Sequence, residues 1–135
     1  MSVSLGAASE TDDLAARIAA LPERVSADAP LLRRGRFLDT SVQLLVGDES
    51  FVVTIVDGRV AGTQRGGFAA GDFALIAEPA VWGRLLARTP PPGDHDFLAF
   101  YKRKELRIVG DLHPLMAHLL YFKGLLGYLK PSAAA

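Results

Sequence analysis

One short cluster in the sequence holds residue types that could carry acid–base chemistry. Asp94, His95 and Asp96 are adjacent, and an imidazole flanked by carboxylates can serve as a general base. The run Pro90–Gly93 before them favours an exposed loop, and an aspartate at the start of a helix commonly caps it. Capping by Asp94 or Asp96 is therefore the favoured interpretation. The sequence predicts no catalytic residue, and an enzyme is the weakest of the functional hypotheses.

The three histidines raise the separate question of a metal site. His113 and His118 are five positions apart, whereas two ligands on one helical face usually stand at i and i+4. His95 is distant from both, and the chain has no cysteine. We expect no bound metal and no cofactor.

Composition limits the remaining classes of function. The chain has 135 residues, of which 50% are hydrophobic, and its formal net charge is zero. These values are typical of a single globular domain and exclude a general nucleic-acid-binding role. The sequence shows neither the pattern of a signal peptide nor a run of about 18 apolar residues. Together with the absence of cysteine, this predicts a soluble protein of the cytoplasm.

Two short basic runs, Arg33–Arg36 and Lys102–Lys104, stand out from this balanced background. Solvated charge is the favoured interpretation of both. The alternative is transient contact with the anionic headgroups of a membrane surface, with acyl-carrier phosphates, or with partner enzymes of a lipid or quinone pathway.

The elements that must position these residues follow from the spacing of apolar and turn residues. We expect strands at Ser41–Val46, Phe51–Val56, Arg59–Ala61, Asp72–Ala77 and Leu106–Val109. We expect helices from about Ser9 to Pro22, from Pro79 to Leu86, from Asp94 to Tyr101 and from Asp111 to about Lys130, with an extended connection over Glu23–Arg36.

The last predicted helix is the most apolar element of the chain. Its apolar residues wrap most of the circumference, which is more than a surface helix needs to cover one face of a sheet. The residues left over after one face is buried must meet a ligand, a second subunit or a membrane.

Three segments in this order carry a resemblance to a known family. They are the hairpin Phe51–Val60 with its Asp57-Gly58 turn, the strand and short helix from Leu75 through Trp82 to Leu86, and the last strand Leu106–Asp111 with its terminal Gly-Asp. In this order they resemble the sterol carrier protein 2 family over roughly Thr40 to Leu126. The segment Phe100–Arg103 is also similar to bacterial accessory proteins of ubiquinone biosynthesis that contain this domain.

The resemblance implies an α+β fold in which a five-stranded, mainly antiparallel sheet carries helices on one face, with an apolar tunnel between the sheet and the helices. Outside the matched region, the sequence itself predicts residues 1–36 as an N-terminal helix and basic linker and residues 131–135 as a disordered tail. We expect residues 37–130 to form the lipid-binding domain, in one folding unit with the N-terminal helix. The candidate lining of the ligand site is Trp82, Leu86, Phe97, Phe100, Leu115, Leu119, Phe122 and Leu126.

The favoured hypothesis is therefore a protein that binds and carries or presents an apolar ligand: a sterol, a fatty acyl chain or an isoprenoid quinone intermediate. The alternative is an interaction or dimerisation module, in which Leu119, Phe122, Leu126 and Tyr128 pack against a partner or a second copy. The sequence leaves the oligomeric state open. For each lining residue, ordinary packing in a core is the competing interpretation.

Overall fold

The computed structural model describes residues 2–66, 71–87 and 97–130. Over these ranges the helices are α1 (Ser2–Ala19), α2 (Leu21–Ser26), α3 (Ala29–Arg34), α4 (Pro79–Leu85), α5 (Phe97–Lys102), α6 (His113–Ala117) and α7 (Leu119–Gly127). The strands are β1 (Thr40–Val46), β2 (Glu49–Val56), β3 (Arg59–Arg65), β4 (Phe73–Ala77) and β5 (Arg107–Gly110). They form one sheet in the order β3-β2-β1-β4-β5. The predicted α+β class and its five strands are confirmed, except that β3 continues to Arg65, beyond its predicted end at Ala61.

The first three strands form a meander because the sequence supplies a turn after each of the first two. Asp57 and Gly58 join β2 to β3 with φ values of 51° and 77°. A two-residue hairpin turn of the kind that matches strand twist needs positive φ at both central positions, which aspartate and glycine tolerate. Gly47, with φ of 60°, serves the turn between β1 and β2.

The sheet is mixed but mostly antiparallel, as predicted. β1 pairs with β2, β2 with β3, and β4 with β5 in antiparallel register. β1 and β4 are parallel, with pairs from Val42↔Phe73 to Val46↔Ala77. A parallel pair needs a crossover connection, and here the chain makes it through the β2–β3 hairpin and the segment that follows.

One face of the sheet forms the core. Along β1 the side chains of Thr40, Val42, Leu44 and Val46 are buried, and the residues between them are half-buried. The pairing places Val53 and Phe51 opposite Val42 and Leu44 on this same face. The largest fully buried side chains that join them from the rest of the described chain are Trp82, Tyr121, Phe73, Phe100, Ile18, Leu21, Leu75, Leu106, Leu115 and Leu129.

The N-terminal prediction is wrong in two respects. The first helix begins at Ser2 and not near Ser9, since several residues before Ser9 are good helix formers. The segment predicted as an extended connection, Glu23–Arg36, contains most of α2 and all of α3. Pro22 and Pro30 stand in the first turns of α2 and α3, where the missing N–H costs nothing.

Asp28 explains why α3 forms. Its side chain accepts a hydrogen bond from the backbone N–H of Leu31 at 3.0 Å, which is the contact expected of an N-cap.

The prediction of one long C-terminal helix from Asp111 to about Lys130 is also wrong. It is divided into α6 and α7 at His118, whose φ and ψ of −127° and 42° leave the helical region. The apolar spacing runs through this break without interruption, so periodicity alone does not show it. Asp111 keeps a capping contact, because its Oδ1 accepts the backbone N–H of His113 at 3.1 Å.

Gly35, Gly58 and Tyr121 form a close junction between α3, the β2–β3 turn and α7. A Cβ atom placed on Gly35 would lie 2.5 Å from Tyr121 Cε1 and 2.8 Å from Gly58 Cα. The Tyr121 hydroxyl donates a hydrogen bond to the carbonyl oxygen of Gly58 at 2.6 Å. Only glycine at position 35 leaves room for this approach.

Among the helices that the structure describes, none combines the length and the apolar character needed to cross a bilayer.

Candidate functional site

A cleft opens between the end of α4, the start of α5 and the end of α7. Its lining consists of Leu85, Leu86, Phe97, Lys123, Leu126, Gly127 and Lys130. The cleft has a volume of about 290 Å³, near the lower end of the roughly 300 to 1,000 Å³ that is typical of small-molecule pockets. Four apolar side chains and the bare backbone of Gly127 form a wall that can exclude water from a hydrocarbon chain.

The two polar members of the lining are both lysines. Lys123 and Lys130 are half-buried. Lys123 lies in α7, and Lys130 follows three residues after the end of that helix. Their ammonium groups can attract an anionic group while the apolar wall contacts the rest of the molecule. This arrangement suits an amphiphile with an apolar body and a polar or acidic end.

Three of the residues predicted to line the ligand site do line this cleft: Leu86, Phe97 and Leu126. The structure brings them together from three different helical segments. Each is nearly buried, with 3% to 8% of its surface exposed.

Trp82 lies elsewhere, against the sheet. Its side chain is 2% exposed, and its indole Nε1 donates a hydrogen bond to the backbone carbonyl of Leu45 at 2.9 Å. A buried indole needs such a partner for its N–H. Trp82 therefore fastens α4 to β1, next to the cleft rather than inside its lining.

Phe100 is fully buried under a charged cover. The guanidinium groups of Arg84 and Arg103 lie 5.2 and 4.6 Å from its ring centroid, and both arginines form ion pairs with Glu105. The hydrogen bonds from Arg103 and Arg84 hold the pKa of the Glu105 carboxyl below its usual value. The two arginines and Glu105 thus cover the buried Phe100 ring on α5.

The remaining candidates on α6 and α7 pack into the core. Phe122 makes edge-to-face contacts with Phe73 and Tyr121, with ring centroids 5.4 Å apart in both pairs. Leu115 is buried, and Leu119 is partly buried against the same cluster. Their assignment to a ligand site stays a prediction.

Sequence reasoning did not select Leu85, Lys123, Gly127 or Lys130. A signal for three of them was present. Positions 123, 127 and 130 are separated by four and three residues, which places them along one side of a helix together with Leu126. The predicted lining was selected by choosing large apolar side chains, and this criterion passes over lysine and glycine.

Among the described residues, the histidine and acidic candidates form no catalytic or metal-binding site. The cluster Asp94, His95 and Asp96 lies outside the described residues. Across residues 2–66, 71–87 and 97–130, no group of three or more acidic or histidine side chains could hold a metal ion. His118 lies at the break between α6 and α7, and its Nδ1 is buried without a hydrogen-bond partner among the described residues.

Comparison with known proteins connects this architecture to solved structures. No protein-family model and no curated protein sequence matches the chain. A crystal structure of sterol carrier protein 2 matches with a TM-score of 0.71 and 18% identity, covering 87% of this chain and 96% of that one. UbiJ-SCP2, a ubiquinone synthesis protein, matches with a TM-score of 0.57 and 20% identity, covering 87% and 95%.

An enzyme also contains a similar region. The sec-alkyl sulfatase PisA1 matches with a TM-score of 0.51 and 12% identity, covering 76% of this chain but 14% of the sulfatase. At these identities the likenesses show a shared fold.

Proposed function

This chain has the sterol carrier protein 2-like fold. We propose that the protein binds an apolar, lipid-like molecule and carries it or presents it to other proteins. The ligand class is a fatty acyl chain, a sterol or an isoprenoid quinone intermediate. The proposed site is the cleft between α4, α5 and α7, and the proposed place of action is the cytoplasm. The observation that carries the proposal is the apolar wall of this cleft with lysines at its border.

The energetics favour such a ligand. Burial of apolar surface contributes roughly 25 cal/mol for each Å², and each methylene group transferred from water contributes about 0.8 kcal/mol. A chain of several methylene groups against Leu85, Leu86 and Phe97 therefore gains enough free energy for binding without a hydrogen bond inside the cleft. Lys123 and Lys130 favour a ligand that ends in a carboxylate or a phosphate.

The rival role as an interaction module receives less support from the same helix. Of the residues assigned to it, Phe122 and Leu126 are buried within the chain. The Tyr128 hydroxyl is already engaged, since it donates a hydrogen bond to Asp28 Oδ2 at 2.6 Å. The exposed apolar side chains of this region are instead Met116 and Leu120, at 55% and 60%.

A role in ubiquinone synthesis is a narrower version of the proposal. Its support is the likeness to UbiJ-SCP2 in fold. Partner enzymes of a lipid or quinone pathway belong to this version. The likeness to part of an alkyl sulfatase supports no enzymatic role here, because at 12% identity and 14% coverage of the sulfatase it shows a shared fold alone.

Native mass spectrometry of the freshly purified protein tests the proposal, followed by organic extraction and identification of the extracted lipid. We expect a bound species that dissociates when the protein is denatured. If the mass is that of the bare chain, the purified protein is offered a fluorescent fatty acid, a sterol analogue and a quinone analogue. Failure to take up any of the three contradicts the proposal.

The rival is tested in parallel by light scattering. A stable dimer that is lost in the variant Leu120→Asp, with no effect of added lipid, would favour the interaction module. Leu120 is the suitable position because its side chain is exposed, so the substitution leaves the core intact.

A further inference from the structure

Phe37 is the most exposed large apolar side chain of the described residues, with 82% of its surface accessible. It follows α3 and precedes β1, at the end of the sheet where the β2–β3 turn lies. Its backbone has a φ of 68°, a left-handed conformation that is unfavourable for a bulky aromatic residue. An exposed ring on a strained backbone calls for an explanation, because burial does not compensate the strain.

A network of backbone and carboxylate contacts holds this conformation. Asp57 Oδ1 accepts a hydrogen bond from the Phe37 N–H at 2.7 Å, and Asp39 Oδ1 accepts one from the Asp57 N–H at 2.8 Å. The Gly58 N–H donates to the carbonyl of Leu38 at 3.1 Å. The ring is therefore presented outward by an ordered loop.

Four arginines lie near Phe37, either within four residues along the chain or in the hairpin that contacts this loop. Arg33, Arg34, Arg36 and Arg59 are all exposed, and none of their guanidinium groups forms an ion pair with a described residue. Elsewhere Arg65, Arg84 and Arg103 each pair with a carboxylate. The guanidinium carbon of Arg36 lies 5.2 Å from the Phe37 ring centroid.

The nearby acidic and apolar groups complete this surface. The carboxylates of Asp39 and Asp57 keep their negative charges while they accept the backbone N–H groups that fix the loop. The four arginines outnumber these two aspartates, so the net charge of the surface is positive. Val56 pairs with Arg59 across the hairpin and is 50% exposed. It adds a second apolar side chain.

We propose that Phe37, Val56, Arg33, Arg34, Arg36 and Arg59, here termed the Phe37 surface, dock the protein on an anionic phospholipid membrane. The arginines contact lipid phosphates, and the Phe37 ring enters the headgroup region. This role goes beyond binding of a single lipid in the cleft, because it concerns a different face of the molecule and an assembled bilayer.

Two features favour a membrane over a folded protein partner. The ring protrudes at a loop next to a hairpin tip, and a protruding apolar group surrounded by cations matches the layered chemistry of a bilayer surface, with phosphates outside and hydrocarbon beneath. Phenylalanine is among the residues that interfacial segments bury at the boundary between headgroups and acyl chains. The charge complementarity therefore specifies an anionic lipid surface.

Co-sedimentation with vesicles tests the proposal. The unmodified protein is compared on vesicles of phosphatidylcholine alone and of phosphatidylcholine with phosphatidylglycerol. We expect binding to the anionic vesicles and its loss as NaCl rises from about 0.1 to about 1 M, since the screening length falls from about 10 to about 3 Å. Equal binding to both vesicle types overturns the proposal.

Variants separate the two parts of the surface. The double variant Arg33→Ser/Arg36→Ser is expected to bind anionic vesicles about thirtyfold more weakly, at roughly fivefold for each arginine near an anionic surface. Its matched control is Lys102→Ser/Lys104→Ser, which removes the same charge from the other exposed basic run. An equal loss in the control would reduce the effect to net charge and contradict the assignment.

Phe37→Asn tests the ring itself, because asparagine tolerates positive φ and keeps the loop. We expect about tenfold weaker binding to anionic vesicles. The melting temperature of the variant, followed by circular dichroism, should match or exceed that of the parent. If such a folded variant binds anionic vesicles as tightly as the parent, the protein adheres by charge alone, and the proposed insertion of the ring is refuted.

A fluorescence measurement reports insertion directly. In Phe37→Trp the introduced indole should be quenched by vesicles with brominated acyl chains, whereas Trp82, the chain's single native tryptophan, is buried and should not respond. Absence of quenching on vesicles that bind the protein places the contact elsewhere and refutes the proposal.

Discussion

The hydroxyl of Tyr121 donates a hydrogen bond to the backbone carbonyl of Gly58, with the two oxygen atoms 2.6 Å apart. The contact joins residues 63 positions apart in the chain: Tyr121 lies in α7, which forms one side of the cleft, and Gly58 lies in the turn beside Phe37. The ring of Tyr121 is fully buried. This pair thus connects the proposed ligand site to the face that carries the Phe37 surface.

Removal of this hydroxyl should destabilise the fold. In Tyr121→Phe the Gly58 carbonyl loses its buried partner, and an unsatisfied buried acceptor costs about 1 to 3 kcal/mol. Urea unfolding followed by circular dichroism should show this loss in the free energy of unfolding. The control is Tyr101→Phe, because Tyr101 is 41% exposed and its substitution should change little. An equal effect in both variants would contradict the assigned role of the contact.

Tyr121 should also make stability depend on alkaline pH. Burial raises the pKa of Tyr121 from 10.0 to about 12, so the folded state favours the neutral phenol. The stabilisation is complete below pH 10.0, the value for the unfolded chain, and it is lost as the pH rises through about 12. A difference titration of tyrosinate absorbance between the parent and Tyr121→Phe measures this pKa. If the difference between the two titrations shows that Tyr121 ionises near pH 10, the prediction is refuted.

The close approach at Gly35 can be tested by adding one methyl group. Gly35 has an ordinary negative φ of −95°, so Gly35→Ala meets no backbone strain, only the Tyr121 ring and Gly58. We expect a loss of about 1 to 3 kcal/mol in the free energy of unfolding, as for overpacked cores. The matched control is Gly83→Ala in α4, where an added Cβ meets no atom within 4 Å. That change should stabilise the helix by about 0.5 to 1 kcal/mol.

The strain at Phe37 gives a prediction about stability that is independent of membranes. A left-handed conformation costs a typical residue about 1 to 2 kcal/mol, and asparagine pays less of this cost. The ring is 82% exposed and gains little from burial. Phe37→Asn should therefore be as stable as the parent or up to about 1 kcal/mol more stable in a thermal melt. A clear loss of stability would mean that the ring has a structural role.

Local sequence rules were sufficient for the sheet. The alternation along β1 and the Asp57-Gly58 turn depend on neighbouring residues only, so the strands and the meander followed from the pattern. The parallel pairing of β1 with β4 is a long-range contact that the local pattern does not specify. The helices were harder. Pro22 and Pro30 were interpreted as breaks, although a proline in a first turn starts a helix equally well. The cap at Asp28 was visible in the sequence and would have favoured α3.

The residues of the candidate cleft could be selected from the sequence only in part. Apolar type identified Leu86, Phe97 and Leu126, which line the cleft. It could not separate them from Trp82, because the difference lies in a hydrogen bond to Leu45 that only the tertiary structure forms. Pairing of Phe122 with Phe73 is likewise a long-range contact that helical spacing does not specify.

Substitution of Gly127 by a residue with a larger side chain should fill part of the cleft. Gly127 belongs to the lining, it is exposed, and a Cβ placed on it meets no atom within 4 Å. A larger side chain therefore fits the backbone without a clash, and it occupies space that the ligand would need. Gly127→Leu should lower the uptake of a fluorescent fatty acid by about tenfold or more, since a leucine displaces several methylene groups of contact at about 0.8 kcal/mol each.

Gly83→Leu is the matched control for this change. Gly83 is also a helical, exposed glycine with open space where a Cβ would lie, and it is absent from the lining of the cleft. Both variants should retain the parent's melting temperature or exceed it, because leucine favours helices more than glycine does. If the two leucines reduce fatty-acid uptake equally, or if neither does, the ligand binds at another place and the assignment of the site to α4, α5 and α7 is wrong.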